Sequence, residues 1–213
     1  MTVDRWKVEE APAPTGVDGV ALRARGERTR RALLEAAEEV FAQWGWENAS
    51  IVKITQKAGV SQGTFYRYFV SKQAVFDELV ADLNRRVRRA MSAGVDLGKN
   101  RLEAERLGFE GFFRFTAEHP ALYRVIRQAE FASPTALHLH YERIAEGYQR
   151  GLSQAMANGE IVKGDPEVLA YVLMGIGELV GMRWILWNGG TEVPKDVLEE
   201  MMRFIMRGLG ADL

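Results

Sequence analysis

Apolar residues recur in this chain at intervals of three and four, the spacing that gathers them on one helical face, and no alternating run bounded by turn residues competes with it. The expectation is an all-α fold of about nine helices. Leu33, Leu34, Ala37, Val40, Phe41 and Trp44 make the first face, over about 25–44, and Gly45 stands where a left-handed cap belongs. Ser50 is placed to cap a short second helix ending at Gly59 and Ser61 to cap a third. Ser71 starts a long fourth helix carrying Phe76, Leu79, Val80, Leu83 and Val87 to about Ala90. Further helices are predicted near 102–118, 120–128, 135–158, 166–187 and 195–208. Met1 to Gly19, with Pro12, Pro14, Gly16 and no apolar period, reads as a flexible arm. The organisation expected is an arm over 1–22, a first domain over 23–75 and a second, larger helical domain over 76–213.

Composition narrows the function classes. The chain has 213 residues, 47% of them hydrophobic and 27% charged, which suits a folded protein with a sizeable core. Cysteine is absent, so a disulfide framework, a thiolate zinc site, an iron–sulfur cluster and a cysteine nucleophile are excluded. The first dozen residues carry Asp4, Arg5, Lys7, Glu9 and Glu10 and lack the apolar run of a signal peptide, so a cytoplasmic location is expected. The apolar tract over 168–187 reaches membrane-span length, but Glu178 and Arg183 near its middle argue for a buried helix and no membrane. A net charge of −1 conceals a segregation: residues 21–73 hold nine basic side chains against five acidic ones. A basic N-terminal quarter on an acidic body fits a polyanion partner.

The stretch Ser50 to Phe69, SIVKITQKAGVSQGTFYRYF, is two short helices joined by the tight turn Ala58-Gly59-Val60-Ser61, a helix-turn-helix pattern. Phe65 and Phe69 share a core face, leaving Gln62, Gly63, Thr64 and Arg67 with no core duty at the end that enters a major groove about 12 Å wide. Gly63 admits close backbone approach, while Tyr66 and Tyr68 offer hydroxyls and flat rings to phosphate and sugar. Lys72, beside the amide-rich start of the fourth helix, is a second phosphate candidate, and Lys53 and Ser61 complete the set.

At these residues the sequence resembles the TetR family of one-component transcriptional regulators. GVSQGTFYRYFVSKQAVF is similar to the family's signature across the recognition helix, and ALLEAAEEVFAQWGWENAS to its first helix and turn. Thr55 stands where an alanine is usual, and Gln73 replaces a common acidic residue. The resemblance implies a homodimer reading a palindromic double-stranded DNA operator, released by a small ligand held in a helical C-terminal domain, with no catalysis and no cofactor. The alternative is a helical ligand-binding protein or enzyme that keeps the fold without specific DNA binding.

Within the C-terminal region, Leu169, Val172, Leu173, Ile176, Val180 and Trp184 form a stripe, and Gly177 and Gly181 would let another helix approach closely. Burial inside the monomer and packing on a second copy both satisfy that pattern. The family resemblance favours a dimer interface with Leu173, Gly177, Gly181 and Trp184, shared with the last helix. A GxGxxxG run over 175–181 has a glycine one position late and no strand before it, so it is no dinucleotide loop. His138 and His140, two apart on a helix, point to nearly opposite sides and read as solvated rather than as a metal pair. HPALYRVIRQAEFASPTALHLHYERIAEGYQRGL followed by GIGELVGMRW resembles the acyl-CoA-responsive branch of the family. That resemblance implies an acyl-CoA or aryl-CoA effector in an apolar tunnel beside arginines. Phe109, Phe113, Tyr123, Arg127, Tyr141 and Tyr148 are the expected ligand residues; Arg124 and the cluster Arg85, Arg86, Arg88, Arg89 are weaker candidates, read mainly as a solvated face.

Overall fold

The computed structural model describes residues 8–210. Nine α-helices follow one another among them: α1 Ala24–Asn48, α2 Ile51–Ala58, α3 Gln62–Phe65, α4 Lys72–Val95, α5 Arg101–Glu118, α6 Ala121–Ala132, α7 Pro134–Ala157, α8 Pro166–Gly181 and α9 Lys195–Gly208. The described residues contain no strand, only an isolated antiparallel bridge between Thr15 and Ala21. Element boundaries follow from local chemistry. Ser50 and Asn100 cap α2 and α5 by accepting the amides of Lys53 and Glu103, and Asp165 caps α8 with Pro166 in its first turn. Gly45 at φ 72 breaks the regular geometry of α1, as its place in the sequence suggests, and a further short turn carries the chain to Asn48.

The helices assort into two compact units that do not coincide with the expected division at 75/76. The head comprises residues 9–85 and 121–140, the body 86–120 and 141–210 of the described chain. Helix α6 joins the head because it packs on α1, where the Gln128 amide donates to the Phe41 carbonyl at 3.2 Å and Leu122, Val125, Ile126 and Ala129 are buried. The head core is Leu33, Phe41, Ile54, Phe65, Val75, Phe76 and Leu79, all without exposed surface. Phe41, Trp46 and Phe76 meet with ring centroids 4.9–5.8 Å apart. In the body, α5 and the second half of α4 cross at glycines. A Cβ at Gly94 would overlap the Leu107 carbonyl, and one at Gly111 the Ala90 carbonyl.

Three expectations need correction here. The segment taken as a flexible arm is folded from Pro14 onward: Gly16 donates to Val20 at 2.9 Å, Leu22 to Pro14 at 3.0 Å, and Val17 to the carbonyl of Arg67 at 3.1 Å. Asp18-Gly19 closes the turn with Gly19 at φ 75, a turn signal that outweighs the lack of apolar period. The apolar tract over 168–187 is not wholly buried: Ala170, Leu173, Gly177 and Gly181 face the body's core, whereas Val168, Tyr171, Val172 and Leu179 are exposed. Beyond Gly181 the helix widens into a π turn, Met182–Leu186. His140 is buried, with Asn84 donating to its carbonyl at 2.9 Å, while His138 is exposed; opposite faces of one helix have opposite surroundings.

Candidate nucleic-acid interface

Helix α2 ends at Gly59, at φ 68 and ψ 31, whose amide returns to the carbonyls of Gln56 and Thr55. Thr55, the departure from the family pattern, is buried and spends its hydroxyl on the Val52 carbonyl at 3.0 Å, so it takes the place of an apolar residue without an orphan group. Ser61 then caps α3: its Oγ accepts the Thr64 amide at 3.2 Å and lies 3.0 Å from the Thr64 hydroxyl. Phe65 and Phe69 are buried and anchor the element, and Arg30 lies 4.9 Å over the Phe69 ring while pairing with Glu78. After Phe65 the chain tightens to i→i+3 bonds, Arg67 to Thr64 and Tyr68 to Phe65.

That anchoring presents one edge outward. Gln62, Gly63, Tyr66 and Arg67 are exposed, Thr64 and Tyr68 half-buried, and nothing but Ser61 Oγ comes within 4 Å of where a Gly63 Cβ would stand. Donors, acceptors and a cation thus lie on the protruding side of a short helix, the arrangement that base edges and phosphates require. Lys53 leans over the Trp44 ring at 4.3 Å and donates to Asn48 at 2.7 Å.

Lys72 has a structural duty that its motif position does not announce. Its ammonium donates to the carbonyls of Trp46 at 2.8 Å and Ala49 at 3.1 Å, with the Trp46 ring 4.2 Å away. Two of its three protons are therefore spent holding the turn after α1. Lys72→Ala is expected to lower head stability by about 2 kcal/mol, the scale of hydrogen bonds from a charged donor, in urea unfolding without DNA. A variant as stable as the parent would return Lys72 to a purely phosphate role.

The remaining expected residues separate. Tyr123 and Arg127 lie on α6 in the head, whereas Phe109, Phe113, Tyr141 and Tyr148 lie in the body. Tyr141 donates to the Glu178 carboxylate at 3.0 Å. Phe109 is packed in the core, 2.8 Å from where a Gly177 Cβ would stand, so the close approach at Gly177 is made within one body. Leu173, Gly177 and Gly181 therefore sit on the inward face of α8 instead of the outward one, and Trp184 is half-buried. Of the arginine cluster, Arg85 pairs with Asp82, Arg86 reaches His119 and the Phe115 ring, and Arg88 is buried, which leaves only Arg89 on an exposed face. Spacing missed a buried polar cluster in the body. Arg101 pairs with Glu105, its guanidinium lies where a Gly151 side chain would be, and its amide donates to Glu160 at 2.9 Å. Burial holds the Arg101 guanidinium down to about 10 and pushes the neighbouring Tyr148 phenol up. An Arg and a Glu four apart are ordinary on any helix surface, so no sequence signal marked them.

A helical head that exposes one polar edge of a capped helix-turn-helix defines a DNA-binding protein of the transcription-regulator class. Residues 33–79 match the model of the bacterial regulatory proteins of the tetR family. It is 27% identical over 195 residues to the uncharacterized HTH-type transcriptional regulator YdgC of Bacillus subtilis, covering 88% of this chain and 96% of that one. A crystal structure of a TetR-like transcriptional regulator from Rhodococcus sp. RHA1 superposes with a TM-score of 0.69 at 27% identity, over 91% of this chain and 100% of the other. The transcriptional regulator FadR from Bacillus subtilis, solved in complex with stearoyl-CoA, shares the fold with a TM-score of 0.73 at 20% identity, over 84% and 98%.

Proposed function

We propose that the chain is a ligand-responsive repressor that reads a palindromic operator as a homodimer and leaves it when an acyl-CoA thioester binds. The observation that carries the DNA half is the edge of Gln62, Gly63, Tyr66 and Arg67 held outward on buried Phe65 and Phe69. Gln62, Thr64 and Arg67 set base preference, and Ser61, Tyr66, Tyr68 and Lys53 position the head on phosphate and sugar. Pairing of two copies uses the outward face of α8, with Val168, Tyr171, Val172 and Leu179, together with exposed Phe204 of α9. Helix α4 gives its first half to the head and its second to the body, which makes it the element an effector biases.

The likeness to a regulator solved with stearoyl-CoA supports the effector class. A tenfold loss of operator affinity requires about 1.4 kcal/mol of differential effector affinity between the two states, within reach of a few buried methylenes. The test is competition in a mobility-shift assay on DNA selected from a random pool. Long-chain acyl-CoA and phenylacetyl-CoA are expected to displace the protein, with the free acids and free coenzyme A much weaker. Equal potency of acids and thioesters, or no competition by either series, would overturn the thioester assignment. Binding that weakens steeply with salt is expected of the DNA head; no complex at low salt would favour a protein that keeps only the fold.

A further inference from the structure

The turn over 16–20 is built to stay in one shape. Gly16 donates to Val20 at 2.9 Å, Gly19 to Gly16 at 3.0 Å, and the Asp18 carboxylate accepts the Val20 amide at 3.0 Å. With Gly19 at φ 75, this is a three-residue hairpin loop closed by a glycine bulge. The Val17 amide takes no part in it and instead donates to the carbonyl of Arg67 at 3.1 Å, seating the turn on the C-terminal end of the recognition element.

Between the turn and that element lies a groove of about 900 Å³. Arg23, Arg25, Thr29, Thr64, Arg67 and Tyr68 line it beside the turn. Its one carboxylate, Asp18, is committed to the Val20 amide, so three guanidinium groups face one internally satisfied acid. Arg23, Arg25 and Arg67 are exposed, and no ion pair among the described residues engages them. Thr64 of α3 and Arg67 in the turn just after it belong both to this groove and to the outward polar edge, so the two surfaces are continuous.

We propose that this groove is a second DNA-contact surface, which takes the sugar–phosphate strand flanking the base pairs read by α3, with Arg23 and Arg25 as its phosphate ligands. The inference rests on the DNA-reading assignment of α3. Two exposed cations beside a backbone-built wall supply charge without a base-reading array, so the groove adds affinity and fixes register while leaving sequence preference to α3. Docking of the turn on Arg67 sets the angle between the two surfaces, making Val17 a positioning residue.

The experiment uses the full-length protein and duplexes selected by it from a random pool, read by hydroxyl-radical footprinting and by salt titration. Arg23→Ala/Arg25→Ala is expected to erase protection of the nucleotides flanking each half-site and to flatten the log–log salt slope by about 1.8 per bound head, with the selected sequence unchanged. Val17→Pro removes the amide donor and keeps an apolar side chain at a turn position that favours proline. It is expected to weaken flank protection with no charge altered. Gln62→Ala is the control for the α3 reading and is expected to change the selected sequence while keeping flank protection. Wild-type flank protection and salt slope in the double variant would overturn the groove assignment and leave α3 intact. An unchanged selection with Gln62→Ala would instead count against the α3 reading. A groove that binds free AMP by titration calorimetry, in an Arg23- and Arg25-dependent manner, yet gives no flank protection would assign it to a small anion and likewise overturn the proposal.

Discussion

Arg101→Ala lowers the unfolding free energy by about 3 to 5 kcal/mol, the expected cost of stripping one partner from a buried ion pair. Arg101 and Glu105 are 9% and 3% exposed, so the carboxylate left behind would be an uncompensated charge inside the body. Arg101 is also tied by its backbone amide to Glu160, and the phenol of Tyr148 is buried alongside. Desolvation already works against the pair, as the lowered guanidinium pKa of about 10 shows. The pair is therefore not a large net source of stability, and its removal in one piece behaves differently from its halving. Arg101→Met/Glu105→Leu is expected to be neutral or more stable than the parent, by up to about 4 kcal/mol, because both charges leave together and the volume is kept. Urea denaturation of the two variants against the parent decides it. If the double variant is as unstable as Arg101→Ala, the cluster is valued for shape or hydrogen bonding and the charge argument fails.

Gly177→Leu separates two readings of one helix. Even a Cβ at this position would stand 2.8 Å from Phe109 Cε1, and Phe109 is fixed in the core at 1% exposure. Overpacking of about 1 to 3 kcal/mol is expected, seen as a loss of body stability that does not depend on protein concentration. Leu179→Asp and Phe204→Asp act on the opposite side. Those residues are 60% and 68% exposed, so charge there costs the isolated chain little and should instead dissociate the pair of copies. Sedimentation velocity alongside thermal melting distinguishes them. An intact dimer in both aspartate variants would remove the α8–α9 face from the proposed interface, while dissociation by Gly177→Leu at unchanged melting would restore the inward stripe to it.

The spacing of apolar residues was sufficient to specify helices and their order, because which face of a helix is buried is written locally, three or four residues at a time. Caps were equally legible: Ser50, Gly59 and Ser61 bracket α2 and α3 in the sequence and in space, since a cap involves only neighbours along the chain. The helix-turn-helix followed from those local rules together with the pattern of polar residues around Phe65 and Phe69. What lay beyond them was partnership at a distance. The stripe on α8 carried apolar groups on both sides, and only packing against α5 decided that Gly177 faces inward and Leu179 outward. Lys72 looked like a phosphate ligand because its position near a helix start is visible locally, whereas the carbonyls of Trp46 and Ala49 that occupy it are 26 and 23 residues away. The joining of α6 to the head, the Arg101–Glu105–Tyr148 cluster and the seating of Val17 on Arg67 are decided in the same way. Each depends on desolvation and hydrogen bonding between segments far apart in sequence, and the free energy of such contacts exists only once the chain has brought both sides together.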